Sequence, residues 1–157
     1  MSTYEIIAAS TIDATPQQVW AVLDHFEGWT NWMPSMQNVR VVLVSDGPPR
    51  EGYHFQMQGG LVRADLEVTG YRPLERVTRF VVHVPLLPPI EGQNRCTMQP
   101  LSNGRYRIER VDHIIITNKL VLKFLDATQR TRFERLAAEF IRALKQTTLQ
   151  RAAYAAV

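Results

Sequence analysis

The chain has 157 residues, 45% hydrophobic and 21% charged, with a formal net charge of +3. That length suits one domain over residues 1–157 with a substantial core. The charge favours anionic partners only weakly, and the apolar runs are too short to span a bilayer. The start, MSTYEIIAAS, lacks a basic region before its apolar residues and makes a poor secretory signal. A lone cysteine, Cys96, excludes an internal disulfide and suits a reducing, cytoplasmic setting.

Tyr4 to Ile12 is rich in β-formers and predicts a first strand. Asp13 or Thr15 caps the helix that follows, with Pro16 in its first turn. Val19, Trp20, Val22 and Leu23 give that helix its apolar face. Gly28 ends or interrupts it, and Trp29, Trp32 and Met33 precede Pro34, which discourages further helix. Val39 to Val44 is strongly β-branched, and Ser45 to Gly52 is a turn by composition. Tyr53, Phe55 and Met57 then alternate with polar neighbours up to a Gly59-Gly60 turn. Val62, Ala64, Leu66 and Val68 alternate with Arg63, Asp65, Glu67 and Thr69, the pattern of a sheet with one wet face. Phe80, Val82 and Val84 continue the pattern until Pro85 to Pro89 breaks it. Asn94, Cys96 and Met98 form the next alternating run. After an Asn103-Gly104 turn, Arg105 to Ile116 reads as a long last strand.

Thr117 or Asn118 caps a final helix over about Lys119 to Gln150. Leu122, Leu125, Phe133, Leu136, Ala137, Phe140, Ile141 and Leu144 give it an apolar stripe. Its basic residues are interspersed with Asp126, Glu134 and Glu139, a solvated face that predicts no nucleic-acid partner. Successive strands joined by short turns imply an antiparallel sheet, and one long helix lying across it leaves a space between.

This order, with the stretch from Asp13 through Gly28-Trp29-Thr30-Asn31-Trp32-Met33-Pro34, resembles the SRPBCC superfamily, and within it the polyketide cyclase/dehydrase-like proteins. The superfamily also contains the START-type lipid-transfer and birch-pollen-allergen-like proteins. The resemblance implies an α+β helix-grip fold. In it, a curved antiparallel sheet of about seven strands wraps a long C-terminal helix around an internal hydrophobic cavity. It implies a hydrophobic, oxygenated small molecule as partner, such as a polyketide, lipid or quinone. It implies no metal and no organic cofactor, and activity as a cyclase or dehydratase. The alternative is a non-catalytic carrier or sensor. The Cys/His spacing of the iron-cluster oxygenases in that superfamily is absent, and no His/Cys cluster has metal-ligand spacing.

Parity assigns candidate ligand contacts. Phe55, Met57, Leu66, Phe80, Val82, Cys96, Met98, Tyr106 and Ile108 point inward, facing Phe133 and Ala137 of the helix. Trp29 and Trp32 shape one side of the opening. The last strand holds a conflict: its inward phase continues to Arg110 and Asp112. Buried charge is costly unless paired. Arg110 is therefore a candidate oxyanion donor, Asp112 a candidate proton acceptor and Tyr53 a further hydrogen-bond donor. A β-bulge near Glu109 would reverse the phase and place Val111, His113 and Ile115 inside instead. His54 and His83 belong on the outer face. The loop-like segment Val84 to Ile90 either packs over the open end or exposes its leucines as a gate, a membrane-touching tip or a homodimer contact.

Overall fold

The computed structural model of the chain describes residues 2–156. Its strands are β1 (Ser2–Ile12), β2 (Arg40–Leu43), β3 (His54–Gly59), β4 (Val62–Arg72), β5 (Glu75–His83), β6 (Ile90–Pro100) and β7 (Tyr106–Ile116). The helices are α1 (Pro16–Leu23), a 3-10 turn (Phe26–Gly28), α2 (Trp29–Trp32) and α3 (Lys119–Ala155). All seven strands form one antiparallel sheet in the order β1-β7-β6-β5-β4-β3-β2. From β2 onward, chain neighbours are sheet neighbours, as short turns require. The segment containing α1 and α2 joins the two edge strands. The α3 helix packs against β1, β7 and α1. This is the expected helix-grip architecture.

Local chemistry places the helices. Thr15 accepts from the Gln18 amide while the Gln18 side chain accepts from Thr15, closing a capping box at α1. Val19, Trp20, Val22 and Leu23 are all buried, as their spacing predicts. Trp20 donates from Nε1 to the Pro73 carbonyl at 2.8 Å, fastening α1 to the turn between β4 and β5. The chain then leaves α-helical geometry, and Phe26 stacks on Phe55 at 4.1 Å with Trp29 edge-on to both rings. This aromatic cluster fixes the short elements to the sheet.

Asn118 caps α3 by accepting from the Leu120 and Val121 amides. The helix runs to Ala155, beyond the Gln150 expected from its stripe. Its buried residues, Ala137, Phe140, Ile141, Leu144 and Thr148, all lie from the midpoint onward. Full burial of a side chain such as Leu144 stabilises by about 1.5–3 kcal/mol, so the second half anchors the helix. The first half leaves Leu120, Val121 and Phe124 exposed.

The last strand keeps its phase. β7 pairs without interruption with β1 and with β6, so no bulge occurs near Glu109. Ile108 is buried, Arg110 and Asp112 follow it on the inner face, and His113 faces outward toward Glu5. His54 and His83 also lie on the outer face, beside Glu67 and Asp65. The segment after β5 takes the second of its two expected arrangements. Leu86 and Leu87 do not pack over an opening but stand exposed.

Candidate functional site

A cavity of about 230 Å³ lies between the sheet, the α1–α2 segment and α3. Every surrounding element contributes. Leu23, Phe26, Trp29 and Met33 come from the helical segment, and Met57, Ala64, Leu66 and Val68 from β3 and β4. Phe80 and Val82 of β5 and Phe140 of α3 complete the apolar wall. A second space of about 270 Å³ is lined by Pro34, Asp112, Ile114, Phe133 and Ala137. The two spaces share Met33, Phe80, Arg110 and Phe140, which form the neck between them.

The neck carries a charge pair. Arg110 donates from Nε to both Asp112 carboxylate oxygens, at 3.1 and 3.0 Å. Asp112 also accepts from Asn94 Nδ2 at 2.6 Å. The guanidinium lies 3.9 Å from the centre of the Phe140 ring, where the ring face attracts a cation. The two side chains are 21% and 14% exposed, enough burial to strengthen the pair relative to one in water. Extended β geometry brings residues i and i+2 to one face, so the strand itself assembles the pair.

A second charged pair closes the inner end. Arg76 donates from Nε and Nη2 to the two oxygens of Asp24, at 3.0 and 3.1 Å. Its Nη1 donates to the Arg72 and Glu75 carbonyls. Tyr71 donates to Asp24 at 3.0 Å, and the Tyr71 and Trp20 rings flank the guanidinium. Each nitrogen of Arg76 is already engaged, so this cluster is a clamp between α1 and β5.

Gly92 shapes the neck from behind. A Cβ there would clash with Phe80 Cζ and meet the His113 carbonyl oxygen at 2.6 Å. The tip of the Phe80 ring comes close to the β6 backbone because this residue has no side chain.

Trp29, Met57, Leu66, Phe80, Val82 and Arg110 line the inner cavity. Asp112, Phe133 and Ala137 line the outer space. The remaining expected contacts lie elsewhere. Tyr53, Phe55, Cys96, Met98 and Ile108 are buried in the core, each below 3% exposure, and line neither space. Tyr106 packs at the margin of that core, and Trp32 packs on Phe140 and borders a separate surface hollow. Inward parity is shared by core and cavity residues, so it cannot separate them. Burial pushes the Cys96 thiol up to about 12, with Arg110 lowering and Asp112 raising it. The thiol is protonated and inert at neutral pH.

Parity had more to offer at Thr78, Arg76 and Asn94. Extending the Phe80/Val82 phase backwards reaches Thr78 and Arg76, and extending Cys96/Met98 backwards reaches Asn94; all three line the cavity. The contribution of Asp24 has no such signal, because it follows from how α1 docks. Among the described residues, no three His, Cys, Asp or Glu side chains gather to hold a metal ion. No helix among them is long and apolar enough to cross a membrane.

The family model for polyketide cyclase/dehydrase and lipid transport proteins matches residues 5–149. The chain belongs to this family. Solved structures share the fold of this family member at low identity. The Zhui aromatase/cyclase from Streptomyces sp. R1128 superposes with a TM-score of 0.65 at 14% identity, covering 96% of each chain. A norcoclaurine synthase point mutant from Thalictrum flavum, in complex with a transition-state analogue, gives a TM-score of 0.70 at 10% identity. That match covers 96% of this chain and 97% of the synthase. Major latex-like protein 151 from Panax ginseng gives 0.66 at 12% identity, covering 93% and 97% respectively. No curated protein matches the sequence. At these identities the likenesses establish a shared fold, and function rests on the site.

Proposed function

We propose that this polyketide cyclase/dehydrase family member is a cofactor-independent cyclase or dehydratase. Its substrate is a hydrophobic, oxygenated small molecule whose body fills the inner cavity and whose reacting end reaches past Arg110 to Asp112 in the outer space. The observation that carries this reading is the Arg110–Asp112 pair at the neck of an otherwise largely apolar cavity. The walls hold a flexible substrate in a reactive conformer. Asp112 takes a proton from a carbon next to a carbonyl, and Arg110 stabilises the resulting enolate oxygen. The enolate carbon forms a bond to a second carbonyl carbon, whose oxygen takes the proton back from Asp112. In the dehydration, a further proton leaves carbon as hydroxide leaves its neighbour, and the two depart as water. Asn94 keeps Asp112 oriented toward Arg110. Tyr53, buried among core aromatics away from both spaces, has no role in this scheme.

A carrier for a lipid, quinone or aromatic metabolite is the second reading. The exposed apolar residues of one end of the sheet favour it. Pairing of Val82 with Ile90 and of Glu91 with Ile115 brings the segment after β5 and the start of α3 to that end. Leu86, Leu87, Leu120 and Phe124 are exposed there, a surface suited to touching a membrane or donor protein.

Native mass spectrometry of freshly purified protein, against its denatured mass and a solvent extract, tests both readings. A stoichiometric adduct lost on denaturation identifies the ligand class. The enzyme reading requires that wild type converts this ligand or a precursor of it, and that Arg110→Ala and Asp112→Asn slow conversion by about 100-fold or more. Unchanged conversion in both variants removes the enzyme reading. Stable retention with no conversion selects the carrier.

A further inference from the structure

Of the five N–H groups of a guanidinium, Arg110 uses only Nε–H within the protein. The four on Nη1 and Nη2 have no protein acceptor among the described residues. They sit at a neck whose other members, Met33, Phe80 and Phe140, are apolar. At the inner end of the cavity, Arg76 and Asp24 already satisfy one another. The cavity system therefore contains one cation with an open donor fork, placed where the apolar chamber ends.

An open guanidinium fork in a partly desolvated site favours a planar, two-oxygen anion. We infer that the ligand of this cavity is an amphipathic monocarboxylic acid, its carboxylate received by the Arg110 Nη1/Nη2 fork and its apolar body enclosed by Trp29, Leu66, Val82 and Phe140. The inference rests on the cavity-binding reading above and names its ligand class. Asp112 and Phe140 hold the guanidinium plane, so little side-chain freedom is lost on binding. Because Asp112 offsets part of the Arg110 charge, the site suits a monoanion; a dianionic phosphate would call for further cations. The carboxylate takes one N–H of each Nη group, and the second N–H of each is left for the enolate oxygen of the proposed reaction. The acid is either the substrate itself or the head group left by an earlier hydrolysis of an activated acyl group.

The test uses the full chain and two probes of nearly equal shape, 2-naphthoate and methyl 2-naphthoate. Binding at pH 7 is followed by tryptophan fluorescence, with Trp29 in the cavity wall as reporter. Wild type is expected to bind the acid about tenfold tighter than the ester. Arg110→Met brings that ratio to about one, and Arg110→Lys keeps part of it. The Lys variant, together with ester binding by the Met variant, shows that both proteins retain the cavity. Equal affinity for acid and ester in wild type overturns the inference. So does an acid preference that survives in Arg110→Met. If neither probe binds wild type, the cavity-binding reading falls along with the inference. An acid preference without any turnover supports the inference and removes only the enzyme reading.

Discussion

Arg76 and Asp24 meet through two parallel hydrogen bonds across 52 residues of sequence. Their side chains are only 11% and 17% exposed. The pair ties the end of α1 to the start of β5 and so closes the inner end of the cavity. A forked arginine–carboxylate contact of this kind is strong only when both partners stay in register.

Removing one partner leaves the other buried and unpaired. Asp24→Leu and Arg76→Met are therefore each expected to destabilise by about 3 kcal/mol. The double variant Asp24→Leu/Arg76→Met recovers most of that loss, because neither charge remains. Urea unfolding of the two single variants and the double variant measures the cycle. A single-variant cost below about 1 kcal/mol would show that the clamp behaves like a surface pair.

Burial of Cys96 predicts a stability change at alkaline pH. Its folded-state value, about 12, lies above the ordinary 9.0. Below pH 9 the folded and unfolded thiols both hold their proton, and the contribution of this group is complete. As pH rises from 9 toward 12, the unfolded chain loses its proton first and stability falls. The difference between wild type and Cys96→Ala, measured by urea unfolding at pH 8 and pH 10.5, isolates this effect. Wild type is expected to lose more stability than the variant over that interval. A thiol-specific chromogenic reagent at pH 8 should label Cys96 only as the protein unfolds; fast labelling of folded protein would contradict the burial.

Ala64 lines the inner cavity and is 8% exposed. Ala64→Leu adds apolar volume where there is room for it. The expected outcome is an unchanged or higher melting temperature with loss of 2-naphthoate binding, since filling a cavity commonly stabilises. Retained binding at wild-type affinity would place the ligand elsewhere.

Gly92 tests the neck from the opposite side. In Gly92→Ala the new Cβ meets both the Phe80 ring and the backbone of β7. The ring has room to swing into the neck, whereas the His113 carbonyl is held within the sheet. The substitution is expected to cost about 1–3 kcal/mol, as overpacking does, and to slow ligand entry. Stopped-flow binding and urea unfolding read the two effects. A variant within about 0.5 kcal/mol of wild type would mean that the strands part easily here.

The sequence by itself determined the order of elements, because each is encoded locally. Thr15 with Gln18 and Asn118 mark helix starts, and the alternation from Val62 to Thr69 marks a half-buried strand. It also put Arg110 and Asp112 on the same face of β7 as each other, as positions i and i+2, while leaving open which face that is. Only the tertiary structure decided that no bulge interrupts β7, a matter of pairing with both β1 and β6. It also separated Phe55, Cys96 and Ile108, which fill the core, from Leu66, Phe80 and Val82, which face open space. Alternation reports which face a side chain occupies. Whether that face meets another side chain or a void depends on how α1, α2 and α3 dock across the sheet. Those contacts join residues distant in sequence, as between Asp24 and Arg76, and no local pattern encodes them.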